Sequence, residues 1–596
     1  MVKVTVNNKT IEVPQGTTIL EACRAAGWPV PSLCYLKDIN EIGACRVCVV
    51  EIPGMERLVT ACNNVVKEGM TILTNSLKVR EARKTNVSLI LSQHDGHCPT
   101  CVRSGNCKLQ TISYELGIDD SLYKQEIPVN RWPKDFPLLR YESKCIKCMR
   151  CVQICDKVQS LGIWDVAKTG SRTTVDVSLG RKIKEADCSL CGQCITHCPV
   201  GALRGREDKF DVFSWHAPLN DPEKITVVQV APAVRAAWGE ALGIPREEAT
   251  PGRLAAVLKM LGFDYVFDTN FGADLTIMEE ASEFLKRIGD GKTHRYPMFT
   301  SCCPGWVRFL KSQYPDMVED LSTAKSPQQM QGAVTKSYFA KKIGVDASKI
   351  FSISIMPCLA KKAEAAIPSI NDGEGGRDVD LVMTTRELVR QIRSMNIDVK
   401  SLPEEPFDSP LGTGTGAAVI FGVTGGVMEA ALRSCYYMAT GENPDPDVFY
   451  DVRGVDGWRE SVFDIQGTPI RVAVASGLGN ARKLIRALRQ GEVSYDFVEI
   501  MACPGGCVGG GGQPIHDGCE LAAVRGQNLY GLDKKAVLRF SHENPEVQAA
   551  YQEYLGAPMS EEAHRLLHTD HNAWELPMTP WPDKDVQLVP RASERE

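Results

Sequence analysis

Residues 496–514 read DFVEIMACPGGCVGGGGQP. Phe497 to Met501 is a short apolar run of the kind a buried strand makes. It ends at two cysteines, Cys503 and Cys507, set among glycines that let backbone crowd against whatever the thiols hold. Two more stretches have this form. FSISIM leads into MPCLAKK, residues 356–362, with Cys358; YPMFT leads into TSCCPGWV, residues 300–307, with Cys302 and Cys303. ITVVQV, YVFDT, DLVMT and RVAVAS are further short apolar runs, most of them followed by helical patterns. One example is Thr384 to Glu387, a capping box that opens TTRELVRQIR. This alternation predicts an α/β catalytic domain of mixed, mainly parallel sheets with helices over residues 216–538. Ligands of such sheets gather at the carboxyl ends of strands. Cys303, Cys358, Cys503 and Cys507 are therefore expected to enclose one buried metal cluster.

Upstream of this domain the cysteines fall into compact groups, predicting small α+β ferredoxin-like Fe–S domains. Val2 to Val6, the Asn7-Asn8 turn and Thr10 to Val13 read as a hairpin. A helix opened by Thr18 to Glu21 follows, and then Cys34, Cys45, Cys48 and Cys62 in the spacing C-x10-C-x2-C-x13-C. Residues 1–78 are thus expected to form a β-grasp domain with a [2Fe–2S] cluster, structural zinc being the bland alternative. In residues 79–125, His94, Cys98, Cys101 and Cys107 follow a helical segment, Ser76 to Ser92. Three thiolates and an imidazole suit a [4Fe–4S] cube or zinc, and His97 competes with His94 as the ligand. In residues 126–215 the run Cys145-x2-Cys148-x2-Cys151-x3-Cys155 recurs as Cys188-x2-Cys191-x2-Cys194-x3-Cys198. This is the two-cluster bacterial ferredoxin pattern, in which the fourth cysteine of each run serves the other cube. Cys198 is therefore expected with Cys145, Cys148 and Cys151, and Cys155 with Cys188, Cys191 and Cys194. Counting all groups, 19 of the 23 cysteines are placed for metal, and the expected cofactors are one [2Fe–2S] cluster, three accessory [4Fe–4S] clusters and the C-terminal centre.

The remaining features bound the function. With 596 residues and a net charge of -6, the chain needs several domains and shows no basic excess for nucleic acid. The N-terminus reads as a strand, not a signal peptide, and cysteines clustered as CxxC without an export signal point to the cytoplasm. Ser409 to Met428 is uncharged and long enough to span a bilayer, but its six glycines and three threonines mark a buried loop-and-helix segment, so no membrane span is expected. SGLGN, Ser476 to Asn480, has the form of a dinucleotide turn with Arg482 at the third-glycine position, which argues against nucleotide binding there. Cys23, Cys435 and Cys519 have no partner pattern and read as structural thiols.

The motifs TSCCPGWV, MPCLAKK and EIMACPGGCVGGGGQP together resemble the three signature segments of the [FeFe]-hydrogenases, and the upstream groups resemble the accessory domains of the long forms of that family. The resemblance covers residues 1 to about 570. It implies an H-cluster, a [4Fe–4S] cube joined through one cysteine to a two-iron unit carrying CO, CN⁻ and a dithiolate amine. Cys303, Cys358 and Cys503 would hold the cube and Cys507 would bridge. Lys361 would hydrogen-bond a cyanide, and Met356, Met501 and Pro357 would wall the cluster. Pro504 stands where other long-form members can have histidine. Cys302, Glu280, Glu283, Ser322 and Arg287 match the family's proton relay. Residues 539–570 resemble its small-subunit-like C-terminal helical segment, with an extended tail over 571–596. The activity implied is reversible H₂ oxidation and proton reduction. The setting implied is the catalytic subunit of a multimeric NAD(P)-linked hydrogenase, possible electron bifurcation included, with flavin- and NAD(P)-binding partner subunits. A single-chain ferredoxin hydrogenase is the alternative, and an H₂ sensor or an Fe–S assembly or carrier protein are minor ones. Dedicated maturation enzymes are also implied.

Overall fold

The computed structural model describes residues 1–119, 123, 132–207, 216–219, 221–371, 373, 376–454, 457–517 and 520–576. The expected tail beyond residue 576 and Cys519 lie outside them.

Two four-stranded sheets build the C-terminal half. In the first, the order is Tyr265–Asp268, Ile225–Val230, Ile350–Met356, Leu381–Thr384, with every pair parallel. In the second, the order is Met298–Phe299, Phe497–Met501, Thr468–Ser476, Trp458–Ile465. Its pairs are parallel except for the hairpin between the last two strands. The inner strands are covered on both faces, so Phe497–Met501 is buried at every residue. Such strands read as largely apolar runs instead of alternating ones, with Glu499 the buried exception here. The helix after Leu381–Thr384 starts with the complete capping box expected of Thr384 and Glu387.

The N-terminal sheet runs Lys9–Val13, Val2–Val6, Thr71–Ile72, the first pair antiparallel and the second parallel. Thr18 caps the following helix by accepting from the Glu21 amide. The Glu21 carboxylate turns instead to Arg24 and Tyr35, so only half of the box forms there. In the paired-cluster domain, Leu138–Arg140 pairs with Leu203–Gly205, and the insert between the two cysteine runs forms the hairpin Trp164–Ala167/Thr174–Val177.

One apolar cluster joins these modules, running from Leu33 through Leu138 and Trp164 to Phe309 and Leu484, while the N-terminal sheet and helix keep a core of their own around Val4, Val6 and Leu20. SGLGN belongs to that packing: a Cβ at Gly479 would lie 2.5 Å from the Val158 carbonyl, and Arg482 donates to the Ser160 carbonyl at 2.9 Å. The turn therefore serves contact between domains. Ser409 to Met428 is interrupted between the helix Gly416–Ile420 and the helix Gly426–Thr440, and no helix among the described residues is long and apolar enough to cross a membrane. The C-terminal segment, with helices Pro545–Ala550 and Glu561–Leu567, packs on the catalytic domain. It closes an antiparallel bridge between His568 and Ala324, flanked by Lys325 N–H to Leu567 O and Thr569 N–H to Thr323 O, each at 2.8 Å.

Candidate active site

The three signature segments leave the carboxyl ends of Met298–Phe299, Ile350–Met356 and Phe497–Met501 and meet between the two sheets. They line a cavity of about 70 Å³ whose wall contains Cys303, Cys358, Cys503 and Cys507. Met356, Pro357, Met501, Cys302 and Lys361 also line it. Gly506 makes the last turn possible. Its φ is +90°, and a Cβ there would lie 2.6 Å from the Thr424 amide. Glycine adopts this conformation without the steric penalty other residues pay.

The donor set fits an iron cluster. Burial pushes the thiols of Cys303, Cys358, Cys503 and Cys507 above their ordinary range, and for Cys358, Cys503 and Cys507 neighbouring thiolates push further. Four sulfurs that face one cavity and repel one another as anions call for cationic metal among them. Backbone supports the charged form: Gly305, Trp306 and Ala502 amides point at Cys303, which caps the helix Pro304–Gln313, and Ala360 and Lys361 amides point at Cys358. Among the described residues lining the cavity, Lys361 is the only cation. Burial lowers its pKa, but the charge and hydrogen bonds of Glu364 outweigh that and leave it above its ordinary value. Its ammonium donates to Glu364 at 2.9 Å and to the Cys302 carbonyl at 3.1 Å. Glu364, three residues after Lys361 on the helix Ala360–Glu364, was missed by the sequence reading. The i, i+3 spacing in AKKAE was the available signal.

Cys302 is buried, which drives its thiol well above the ordinary range, the Glu280 charge adding to the effect. Glu280 lies on the 21-residue helix Thr269–Gly289 and is fully buried. Neither carboxylate oxygen has a partner at hydrogen-bond distance. Desolvation first, and the Glu283 charge second, push its pKa up to about 8; the pull of the Ser322 hydroxyl and Ser301 amide is too weak to offset them. Glu283 accepts from Ser322 Oγ at 2.7 Å and from Thr323 Oγ1 at 2.9 Å. Arg287 donates to Asp320 at 2.7 Å and to the Tyr296 carbonyl at 3.0 Å. Those two groups, not Glu283, are its hydrogen-bond partners among the described residues.

The accessory sites assemble around this centre. Cys145, Cys148, Cys151 and Cys198 line one small cavity, and Cys155, Cys188, Cys191 and Cys194 line another, which is the crossed arrangement expected. In the N-terminal module the Cys34 thiol touches those of Cys45 and Cys62, and Cys48 touches Cys62. His94 has Nδ1 3.0 Å from the Lys144 carbonyl, which leaves Nε2 as its free ligand atom. His97 is 86% exposed and pairs with Asp95, so His94 is the better placed of the two. The sites touch in sequence. Asn40 donates to the carbonyls of Cys34 at 2.7 Å and Cys148 at 2.9 Å; Cys107 Sγ lies 3.8 Å from the Pro199 carbonyl; Cys503 Sγ lies 3.5 Å from the Cys191 carbonyl.

Comparison with known proteins agrees with this geometry. The model of the iron-only hydrogenase large subunit, C-terminal domain, matches residues 224–511, and that of the iron hydrogenase small subunit matches 520–574. A 2Fe-2S iron-sulfur cluster binding domain matches 1–76, the NADH-ubiquinone oxidoreductase-G iron-sulfur binding region 83–121, and a 4Fe-4S dicluster domain 144–202. The NADP-reducing hydrogenase subunit HndD of Solidesulfovibrio fructosivorans is 46% identical over 96% of this chain and 99% of its own. Iron hydrogenase 1 of Clostridium pasteurianum is 37% identical over 95% and 99%. Cytosolic iron-sulfur assembly component 3 of Mus musculus is 30% identical over 66% and 85%. A solved variant of [FeFe]-hydrogenase HydA1 from Chlamydomonas reinhardtii is 43% identical, with a TM-score of 0.53 over 62% of this chain and 99% of that one.

Proposed function

The chain belongs to the [FeFe]-hydrogenase family, and from that premise we propose that it is the catalytic subunit of a multimeric NAD(P)-linked hydrogenase, with the residue roles that follow. It is an iron-only hydrogenase with [2Fe–2S], [4Fe–4S] and H-cluster domains. The observation that carries the site assignment is the single cavity shared by the four distant cysteines. Cys303, Cys358 and Cys503 would hold the cube and Cys507 would bridge. When bound, the six-iron centre supplies heterolytic cleavage and formation of H₂. Met356, Pro357 and Met501 would keep water away from it, and Lys361, fixed by Glu364, would offer its ammonium to an anionic cyanide.

The proton path uses this chain's own groups. The Cys302 thiol is neutral at physiological pH and holds a proton at Sγ beside the cavity. Glu280, neutral below about pH 8, takes the next position, and Ser322, whose hydroxyl donates to the partly exposed Glu283, would close the gap between the two acids. Arg287 stands outward of Glu283 on the same helix. The clusters, when bound, would supply electron transfer: Cys503 and Cys191 would join the C-terminal centre to the paired cubes, Cys107 and Pro199 would join those to the His94 site, and Asn40 would join them to the [2Fe–2S] site. Partner subunits binding flavin and NAD(P), dedicated maturation enzymes and a cytoplasmic setting complete the proposal; ferredoxin is a further electron partner under a bifurcating scheme.

Matured protein should show infrared bands of metal-bound CO and CN⁻ and turn over H₂. Complex isolated from its native source should reduce NAD(P)⁺ with H₂. Reduction of ferredoxin alone by the isolated chain would favour the single-chain reading, and the absence of both CO and CN⁻ bands would end the site assignment.

A further inference from the structure

Glu283 is held on two sides. Ser322 Oγ donates to it on the inner side at 2.7 Å, and Thr323 supplies its amide at 3.0 Å and its hydroxyl at 2.9 Å on the other. Thr323 Oγ1 lies 2.8 Å from Nδ1 of His568, and Nε2 of His568 lies 3.0 Å from a Glu279 carboxylate oxygen. A carboxylate can only accept, so Nε2 carries the hydrogen; when Glu283 is protonated its own O–H can donate to Thr323 Oγ1, which frees the single Thr323 hydrogen to turn to the Nδ1 lone pair. Carboxylate, imidazole and hydroxyl in this order leave Nδ1 as the ring atom that can accept a proton. Glu279 is fully buried and also accepts from the Tyr551 hydroxyl and, at 2.8 Å, from the Met559 amide. The backbone bridge between His568 and Ala324 fixes the imidazole against Thr323.

We propose that His568, in the C-terminal helical segment, is a proton-accepting station that branches from Glu283 through Thr323, with Glu279 as its counter-ion. This rests on the reading of Glu283 as a relay member. In the step, the O–H bond of the Glu283 carboxyl breaks as Thr323 Oγ1 takes that proton. The original Thr323 O–H bond breaks as Nδ1 of His568 takes the other. No electron moves, and a neutral carboxyl–imidazole pair becomes a carboxylate–imidazolium pair. Each H₂ oxidised releases two protons, so an acceptor that clears Glu283 frees it for the second. Two titratable groups touch the imidazole, Glu279 and His564, whose ring stacks on it with centroids 4.8 Å apart, and two lie one partner away, Tyr551 on Glu279 and Glu283 on Thr323. His564 is exposed, and burial, the His568 charge and Lys286 hold its own pKa down, while Glu283 and Glu279 act the other way.

In matured full-length enzyme, Thr323→Val and His568→Gln should each slow H₂ oxidation on the order of tenfold, less than the 10²–10⁴ expected of an acid or base at the reacting atoms. Both should flatten the acid side of the pH profile, because an acceptor imidazole must be neutral, and Thr323→Ser should restore rate and profile. In protein carrying the cubes but no two-iron unit, infrared difference spectra between acid and neutral pH should lose one imidazole band in His568→Gln. If Glu283→Gln leaves H₂ oxidation intact, the relay reading falls and the station with it. If Glu283→Gln abolishes turnover while Thr323→Val and His568→Gln keep the wild-type rate and pH profile, only the station is overturned.

Discussion

Glu280 is an acid whose surroundings decide its charge. Desolvation on a buried helix face holds its proton to about pH 8, so at neutral pH it can donate as well as receive. H₂ evolution should therefore fall as pH rises through 8, and Glu280→Gln should cut turnover by roughly 10² to 10⁴ while the CO and CN⁻ bands stay unchanged. A steady-state pH profile and an infrared spectrum of the same sample check both halves. Lys361 offers a different test. It is paired inside the protein with Glu364, and removing one member of such a pair leaves a buried charge behind, at a cost of about 3–5 kcal/mol. Glu364→Ala should lower the melting temperature clearly and weaken retention of the two-iron unit, whereas Glu364→Gln, which can still accept a hydrogen bond, should do less.

At the scale of elements, function depends on loops that approach one another without side chains. A Cβ at Gly511 would lie 2.5 Å from the Gly192 Cα, in the loop between Cys191 and Cys194. Gly511→Ala must therefore push apart the loop after Cys507 and the loop of the adjoining cube. Electron delivery should slow while isotope exchange between H₂ and solvent protons, which needs no external electron, persists; loss of both together would mean the cavity itself had collapsed. Much of this layer was legible in the sequence. Largely apolar runs marked the buried strands, and the doubled C-x2-C-x2-C-x3-C spacing pointed to the grouping in which Cys198 shares a cavity with Cys145, Cys148 and Cys151, and Cys155 shares one with Cys188, Cys191 and Cys194. What stayed hidden joins residues far apart in the chain. Asn40 bridging Cys34 to Cys148, and His568 reaching Thr323 across 245 positions, leave no local pattern, because each depends on how separate modules dock. SGLGN was ambiguous for the same reason: a glycine required by a neighbouring domain looks like one required by a phosphate.

For the molecule as a whole, burial of acids sets how stability responds to pH. Desolvation raises Asp274 and Glu499 to about 7 and Glu280 to about 8. In the unfolded chain these groups ionise near 4. The folded protein therefore binds more protons than the unfolded one across the interval between, and stability falls as pH rises through it. The contribution is complete below about pH 4 and gone once the medium passes 8. Asp533 has the opposite sign. Burial works against its charge, but hydrogen bonds from Arg433 and Arg539 outweigh that and hold its pKa below the ordinary range, so its contribution is present above pH 4 and lost in acid. The two trends together place maximum stability on the acid side of neutrality. Melting curves of cube-loaded protein recorded anaerobically from pH 5 to 9 should show that decline, and Glu280→Gln should flatten its upper end, since an amide has no proton to lose between 7 and 8. Comparing variant with parent at each pH cancels whatever the clusters themselves contribute. A decline left unaltered by Glu280→Gln would mean that this carboxyl is already ionised in the folded state, and the same result would remove the neutral acid from the middle of the proton path.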